Sequence, residues 1–329
     1  MAKLDALMEI QLGLEASDAW GVEVASTVKL MGVEELTITP LQGAEQISEL
    51  RGTLQPAYRA YVHSQGGEAS MSGILEFDQF PYFLSALGSY STGTTDTSPN
   101  TAWTWKAPTE DSDAIVASYT LMKTDRVDGY SLLGATLNSL TISGESGGPV
   151  TYEANFMGKS VATDVFAALS DWVTQPVLGH QGQVFIDVAS DAYGTTEVTN
   201  AAYSFEWSIN TNRKLLKHVG NLNPSGFREG KWDGSLSLSI EADTDTIPIL
   251  DEIIGSTNLV AERNIRLQFT QATDAILRLD MSGSFLESPE MYSDEDGVVT
   301  FDFELTGGAT TASTSFAGAY VFTTNASIA

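Results

Sequence analysis

Residues 80–89 read FPYFLSALGS and residues 247–256 read IPILDEIIGS. Both place proline second, run through apolar residues and end on Gly-Ser. Working outward, GTLQP at 52–56 faces GNLNP at 220–224, and VTYEANFMG at 150–158 faces VTFDFELTG at 299–307. The offsets are 167, 168 and 149, in the same order along the chain. Three ordered matches predict a tandem duplication. The units are 1–168 and 169–329, joined near 164–182, where Pro176, Gly179 and Gly182 interrupt the pattern. The shorter last offset places an extra segment in the first unit, at 90–113, which is rich in turn residues.

Around these blocks the hydrophobic period is two. Within 231–242, Trp232, Leu236, Leu238 and Ile240 alternate with Asp233, Ser235, Ser237 and Glu241, the pattern of a half-buried strand. Its counterpart at 68–77 turns Met71, Leu75 and Phe77 inward. Phe205, Trp207 and Ile209 alternate with Ser204, Glu206 and Ser208, and MEIQLGL at 8–14 alternates too. The two opening blocks predict short helices. Asp78 or Thr246 is placed to cap, Pro81 and Pro248 sit in the first turn, and Gly88 and Gly255 stand where a helix stops. The expected fold is mainly β: two tandem β-sandwich or partial-barrel modules, each with one short helix. The polar stretch 41–57 reads as a long loop, and loops of that length in compact domains are usually functional.

The composition narrows the function. There are 16 Lys+Arg against 43 Asp+Glu, a formal net charge of −27. Gripping phosphates needs clustered cations, so a nucleic-acid binder of the usual kind is excluded. The absence of cysteine excludes disulfide scaffolds, thiolate metal sites and thiol nucleophiles. The first 13 residues carry Asp5 and Glu9 and do not read as a signal peptide. No apolar run is long enough to span a membrane.

No phosphate loop, HExxH zinc motif or GxSxG elbow is present. SDEDGVV at 293–299 lacks the spaced ligands of a calcium loop and reads as a hairpin turn, as does SGESGG at 143–148. No catalytic, cofactor or metal residues are assigned, and no enzyme is expected. Trp103 and Trp105 alternate across Thr104; they suit either the packed face of a hairpin or stacking on a sugar. The apolar centre of 314–324, Tyr320–Phe322, is assigned to the chain's own sandwich rather than to a neighbour's.

The run 29–87 carries LMGVEELTITP, SELRGTLQPAYRA, GGEASMSGILEF and FPYFLSAL. It resembles the major tail tube proteins of long-tailed bacteriophages. The resemblance implies a β-sandwich or partial barrel with a flanking helix, and a virion protein of the tail, assembled in the host cytoplasm into stacked rings without a sheath. Its implied partners are other copies of itself and the tape measure, tail terminator and distal tail proteins, with no membrane. The genome would pass through the tube without specific binding. Family rings of six modules imply three copies of a two-module chain.

In that setting Glu68, Ser70, Ser72 and Glu76, with Asp233, Ser235, Ser237 and Glu241, are candidates to line the bore; the same face also reads as ordinary solvated surface. Glu45, Glu49, Arg51 and Arg59 of the first long loop are candidates for contacts between stacked rings. So are Arg213, Lys214 and Lys217, with His218, in the second. A carbohydrate-binding or adhesin-like β protein is the alternative, resting on exposed tryptophans. A glycosidase with paired carboxylates is the third reading.

Overall fold

The computed structural model describes residues 8–47, 52, 59–88, 90–97, 100–110, 116–199, 202–244, 246–255, 261–271, 275–287, 290–295, 298–310 and 315–323. The elements of the first half are β1 (Glu9–Leu14), β2 (Val28–Leu30), β3 (Val33–Ile47), β4 (Arg59–Ile74), α1 (Phe80–Leu87), β5 (Tyr90–Thr97), β6 (Asn100–Lys106), β7 (Tyr119–Thr124), β8 (Asp128–Glu145), β9 (Thr151–Gly158) and β10 (Ser160–Val165). Those of the second half are β11 (Gly182–Val188), β12 (Glu197–Val198), β13 (Ala202–Asn210), β14 (Lys214–Leu216), β15 (Gly226–Arg228), β16 (Asp233–Glu241), α2 (Ile247–Gly255), β17 (Glu262–Gln271), β18 (Ala275–Phe285), β19 (Glu290–Glu295), β20 (Val298–Gly307) and β21 (Ala317–Thr323). The protein is mainly β, as expected, and its large antiparallel sheet does not close into a barrel.

Eight strands run side by side in the order β3-β4-β9-β8-β13-β16-β20-β19. This sheet crosses from the first half of the chain to the second at β8–β13. Behind it lies a second layer. In the first half that layer is β2-β1-β7-β8-β10; in the second it is β12-β11-β17-β18-β21-β6-β5. Strand β8 belongs to both layers. It turns between them at Gly134, whose φ of 70° falls where the β7–β8 register slips; a bulge with a left-handed glycine bends a strand in this way.

Alternation explains the packing. Leu236, Leu238 and Ile240 of β16, and Trp207 and Ile209 of β13, are buried between the layers, while the Ser and Asp residues between them remain partly open. Strand β1 departs from this rule: Glu9 and Gln11 are buried as fully as Ile10 and Leu12. The reason is specific pairing. Glu9 bridges Lys29 at 3.2 Å and also pairs with Arg126, and the Gln11 amide donates to Ala167 O at 2.8 Å.

Both helices form where the Pro and Gly signals place them, but the expected caps do not. Gln79 is the N-cap of α1 and makes no side-chain cap bond. Asp78 instead accepts the Thr323 hydroxyl, and the Thr246 hydroxyl donates back to Glu241 O. Gly88, at φ 110°, returns its N–H to Leu84 O at 3.0 Å and stops α1. Every residue of α1 is buried, whereas Ile247, Asp251 and Glu252 of α2 are exposed.

The first part of the expected loop is a strand. Residues 41–47 continue β3, paired with β4 as far as Ile47↔Arg59. Most of 90–113 forms the β5–β6 hairpin, which adds to β21 of the other half. Trp103 and Trp105 are buried there, at 5% and 1% exposure, so these two tryptophans are not open to stack on a sugar. Trp105 stacks on Trp232 at 6.1 Å and meets Trp207 edge-on at 6.3 Å. Residues 317–323 pair within the chain, with β18 and β6. Trp105→Ala removes a filled core position between the halves, and the expected cost is about 3–5 kcal/mol, measured as a lowered urea midpoint.

Candidate functional site

The open face of the eight-stranded sheet is polar along the rows that cross its middle. One row reads Glu35, Ser72, Glu153, Thr141, Ser208, Ser235 and Thr306. The next includes Thr151, Ser143, Glu206, Ser237 and Glu304, and the one beyond it Glu145, Ser204, Ser239 and Asp302. None of these positions is Lys or Arg. Cross-strand hydroxyl and amide contacts tie neighbours together: Thr141 to Ser208 at 3.4 Å, Ser143 to Thr151 at 3.1 Å, and Asn155 Nδ2 to Ser139 Oγ at 3.1 Å. A trough of about 880 Å³ runs along this face over β8, β13, β16 and β20, so the face is concave there.

Seven of the eight candidate lining residues fall on it. Glu68, Ser70 and Ser72 share one side of β4, and Asp233, Ser235, Ser237 and Glu241 one side of β16. Glu76 does not. It lies beyond the end of β4, bridged to Pro176, only 8% exposed and with Oε2 unpartnered. Burial raises the Glu76 carboxyl above its ordinary range; a hydrogen bond with Thr174 opposes this and the Asp78 charge adds to it. The native state thus holds this proton more tightly than the unfolded chain does. Glu76 therefore contributes stability that grows as pH falls through its folded pKa and is absent at higher pH. Glu76→Gln should flatten that part of the stability–pH curve and leave the protein no less stable at neutral pH, read by thermal melts from pH 4 to 8.

The stacking candidates separate as well. Glu45 is exposed and accepts the Tyr61 hydroxyl at 2.8 Å, and Arg59 is exposed across the ladder from Ile47. Glu49 and Arg51 lie outside the described residues. Lys214, Lys217 and His218 are exposed at the β14–β15 hairpin. Arg213 is not available for stacking. It is 3% exposed and donates to Ala86 O (3.0 Å), Leu137 O (2.6 Å), Leu87 O (2.5 Å) and Glu229 (2.7 Å). Its guanidinium also lies over Phe227 and Trp232.

Arg213 thereby satisfies carbonyls that the end of α1 leaves open, and fastens the second half of the chain to the first. Burial lowers its pKa, against the pull of Glu229. Beside it, β13 and β8 pair over seven residues, Ser204–Asn210 with Glu145–Ser139. The alternation of Ser139, Thr141 and Ser143 with Leu140 and Ile142 was a sequence signal for this seam; nothing in the sequence pointed to the carbonyls around Arg213. Arg213→Ala leaves those carbonyls and Glu229 unpaired, with an expected loss of about 3–5 kcal/mol, and Arg213→Lys restores only part of it because the planar fork is gone. Chemical denaturation of both variants checks this.

Among the described residues no helix is long and apolar enough to cross a membrane. A comparison with curated proteins found no match to this chain. A family model described as "phage tail tube protein" matches residues 6–307, a span that takes in the whole eight-stranded sheet. The chain belongs to the phage tail tube protein family.

Proposed function

We propose that the chain builds the tail tube as stacked rings, with the concave polar face as the wall of the bore and the genome as its cargo. The observation that carries this reading is that the rows across the middle of this face hold no Lys or Arg. A polyanion moving along a wall is held by Lys and Arg and passed over by hydroxyls and carboxylates, which hydrate or repel it. The family membership supplies the structural, tail-associated role; the rings and the passage of DNA are this reading's own. Charge and hydrogen-bonding groups on the face fit a surface that no ligand is meant to grip.

The recurring strand pairings support a duplicated module. In the first half β1–β2, β1–β7, β3–β4, β4–β9, β7–β8, β8–β9 and β8–β10 are paired. The second half has β11–β12, β11–β17, β13–β16, β16–β20, β17–β18, β18–β20 and β18–β21 in corresponding places. Sheet spacing favours three chains per ring. Three eight-stranded sheets at about 4.8 Å per strand close a cylinder roughly 37 Å across its backbone. After side chains are allowed for, that admits one DNA duplex. Two chains give roughly 24 Å by the same spacing, too narrow once the wall's side chains project inward.

The stacking contacts belong to the β3–β4 arm around Glu45 and Arg59 and to the exposed Lys214 and Lys217, with tape measure, terminator and distal tail proteins at the ends of the stack. Assembly takes place in the host cytoplasm. Deleting residues 45–50 is expected to leave rings that no longer form long tubes in negative-stain images; tubes of normal length would remove that arm from the stacking contact. Asp233→Lys with Ser235→Lys should leave tube assembly intact and reduce infectivity by impeding the genome. Unchanged infectivity would place this face outside the bore.

A further inference from the structure

The back layer of the second half has an outer face, turned away from the eight-stranded sheet. Register sets Arg266, Asp280, Gly318 and Lys106 in one row of that face, and Gln183, Gln268, Arg278, Tyr320 and Thr104 in the next. Their chain neighbours Leu267, Leu279, Ala319 and Trp105 are buried, so alternation turns both rows outward. A hollow of about 460 Å³ opens over them, within the size range of small-ligand sites. Gly318 makes its floor low. A Cβ there would meet nothing nearer than Trp105 O at 3.4 Å, so the glycine leaves room that a side chain could fill. In a chain of net charge −27, the hollow gathers Arg266, Arg278 and Lys106 against a single acid, Asp280.

Arg266 already has its carboxylate. Its Nε and Nη2 donate to the two oxygens of Asp280, directly across the ladder, at 2.6 and 2.8 Å. Arg278 is the next arginine on the same face, and it stands opposite Gln268 instead. Its Nε donates to Gln268 Oε1 at 2.8 Å. Gln268 Nε2 donates to Gln183 Oε1 at 3.3 Å, and Gln183 Nε2 to Glu197 Oε1 at 3.0 Å. The Arg278 guanidinium lies over the Tyr320 ring, 5.0 Å from its centroid. Relay and ring together hold the fork in one orientation. Its terminal amines have no partner among the described residues. A fork fixed in advance loses little freedom when it takes an anion.

We infer that this hollow binds a carboxylate-bearing sugar unit of an acidic polysaccharide, with Arg278 gripping the carboxylate and Lys106 as the second cation. Planar guanidinium and planar carboxylate match two bonds to two, as Arg266 and Asp280 already do beside it. The rest of the lining suits a polyhydroxylated ring: Thr104, Ser315, Tyr193 and Tyr320 bring hydroxyls, and the two tyrosines bring apolar ring surface. An acidic peptide would meet the cations and leave the hydroxyl-lined hollow above Gly318 unfilled. The site does not depend on the ring reading. Where the polar face lines a bore, the hollow opens on the outside of the tube.

Saturation-transfer NMR on the full-length protein tests the site, with a galacturonate trisaccharide, the neutral galactose trisaccharide, inorganic phosphate and a tri-glutamate peptide as probes. Transfer to the galacturonate rings is expected, with tighter binding than for the other three. Arg278→Gln should weaken it roughly tenfold or more. Gln268→Glu gives Arg278 a carboxylate from its own sheet and should weaken binding to a similar extent. Gly318→Val fills the hollow without changing a charge and should abolish binding. Each variant is first checked for native circular dichroism. Phosphate, the peptide or the neutral sugar binding as tightly as galacturonate overturns the sugar-acid assignment. No galacturonate binding to the parent protein overturns the site, and so does binding that Arg278→Gln and Gln268→Glu leave unchanged or that survives Gly318→Val. The form of the polymer, which tests the tube reading, is untouched by any of these results.

Discussion

One constraint organises the molecule: the two halves of the chain share a single sheet. The β8–β13 pairing carries the hydrogen-bond ladder across the middle, and Arg213 pins the second half to the end of α1 with a set of charge-assisted bonds in a dry site. A buried guanidinium of this kind is costly unless every donor is used. Here the carbonyls of residues 86, 87 and 137 and the carboxylate of Glu229 take four of its five N–H groups. The β5–β6 hairpin locks the back layer in the same sense, since a strand from the first half completes the sheet of the second through β21. The halves are therefore not free to rotate about a linker, and the polar face is held as one continuous surface.

That continuity is what gives the face its physical character. Alternation along each strand puts Trp207, Leu236 and Ile142 inside and their Ser, Thr and acidic neighbours outside. Because the register aligns strand with strand, the polar positions form unbroken rows rather than scattered patches. Five of the described basic residues are held in ion pairs elsewhere: Arg213 in the seam, Lys29 and Arg126 on Glu9, Arg266 on Asp280 and Arg263 on Glu252. An acidic chain whose sheet carries no Lys or Arg along the rows that cross its middle suits a conduit better than a binder.

Much of this was legible in the sequence, and the misses have physical causes. Period two in 203–210 and 231–242 identified β13 and β16 because those strands bury one face only. Proline and glycine marked both helices because they act on the backbone itself. Residues 41–47 read as a loop because that end of β3 leaves the core: none of its side chains is buried, so no hydrophobic period exists, and the strand is held by its ladder with β4 alone. Residues 90–106 were hidden by the Ser, Thr and Gly of β5, although Trp103 and Trp105 carried the alternation of β6. Glu76 shares its spacing with Ser70 and Ser72 but falls past the strand's end, where period two no longer applies. Arg213 looked like one of a basic cluster because its partners are backbone carbonyls more than 70 residues away in sequence, and carbonyls have no sequence signature.

The most direct measurement of the central claim is a cryo-electron microscopy map of the assembled polymer, resolved well enough to trace β8 and β13. The account predicts threefold rings of whole chains, a continuous sheet around the lumen, and Thr141, Ser208 and Glu206 projecting into it. A lumen lined by the back layer or by the helices, or a ring in which the eight-stranded face looks outward to solvent, would contradict it.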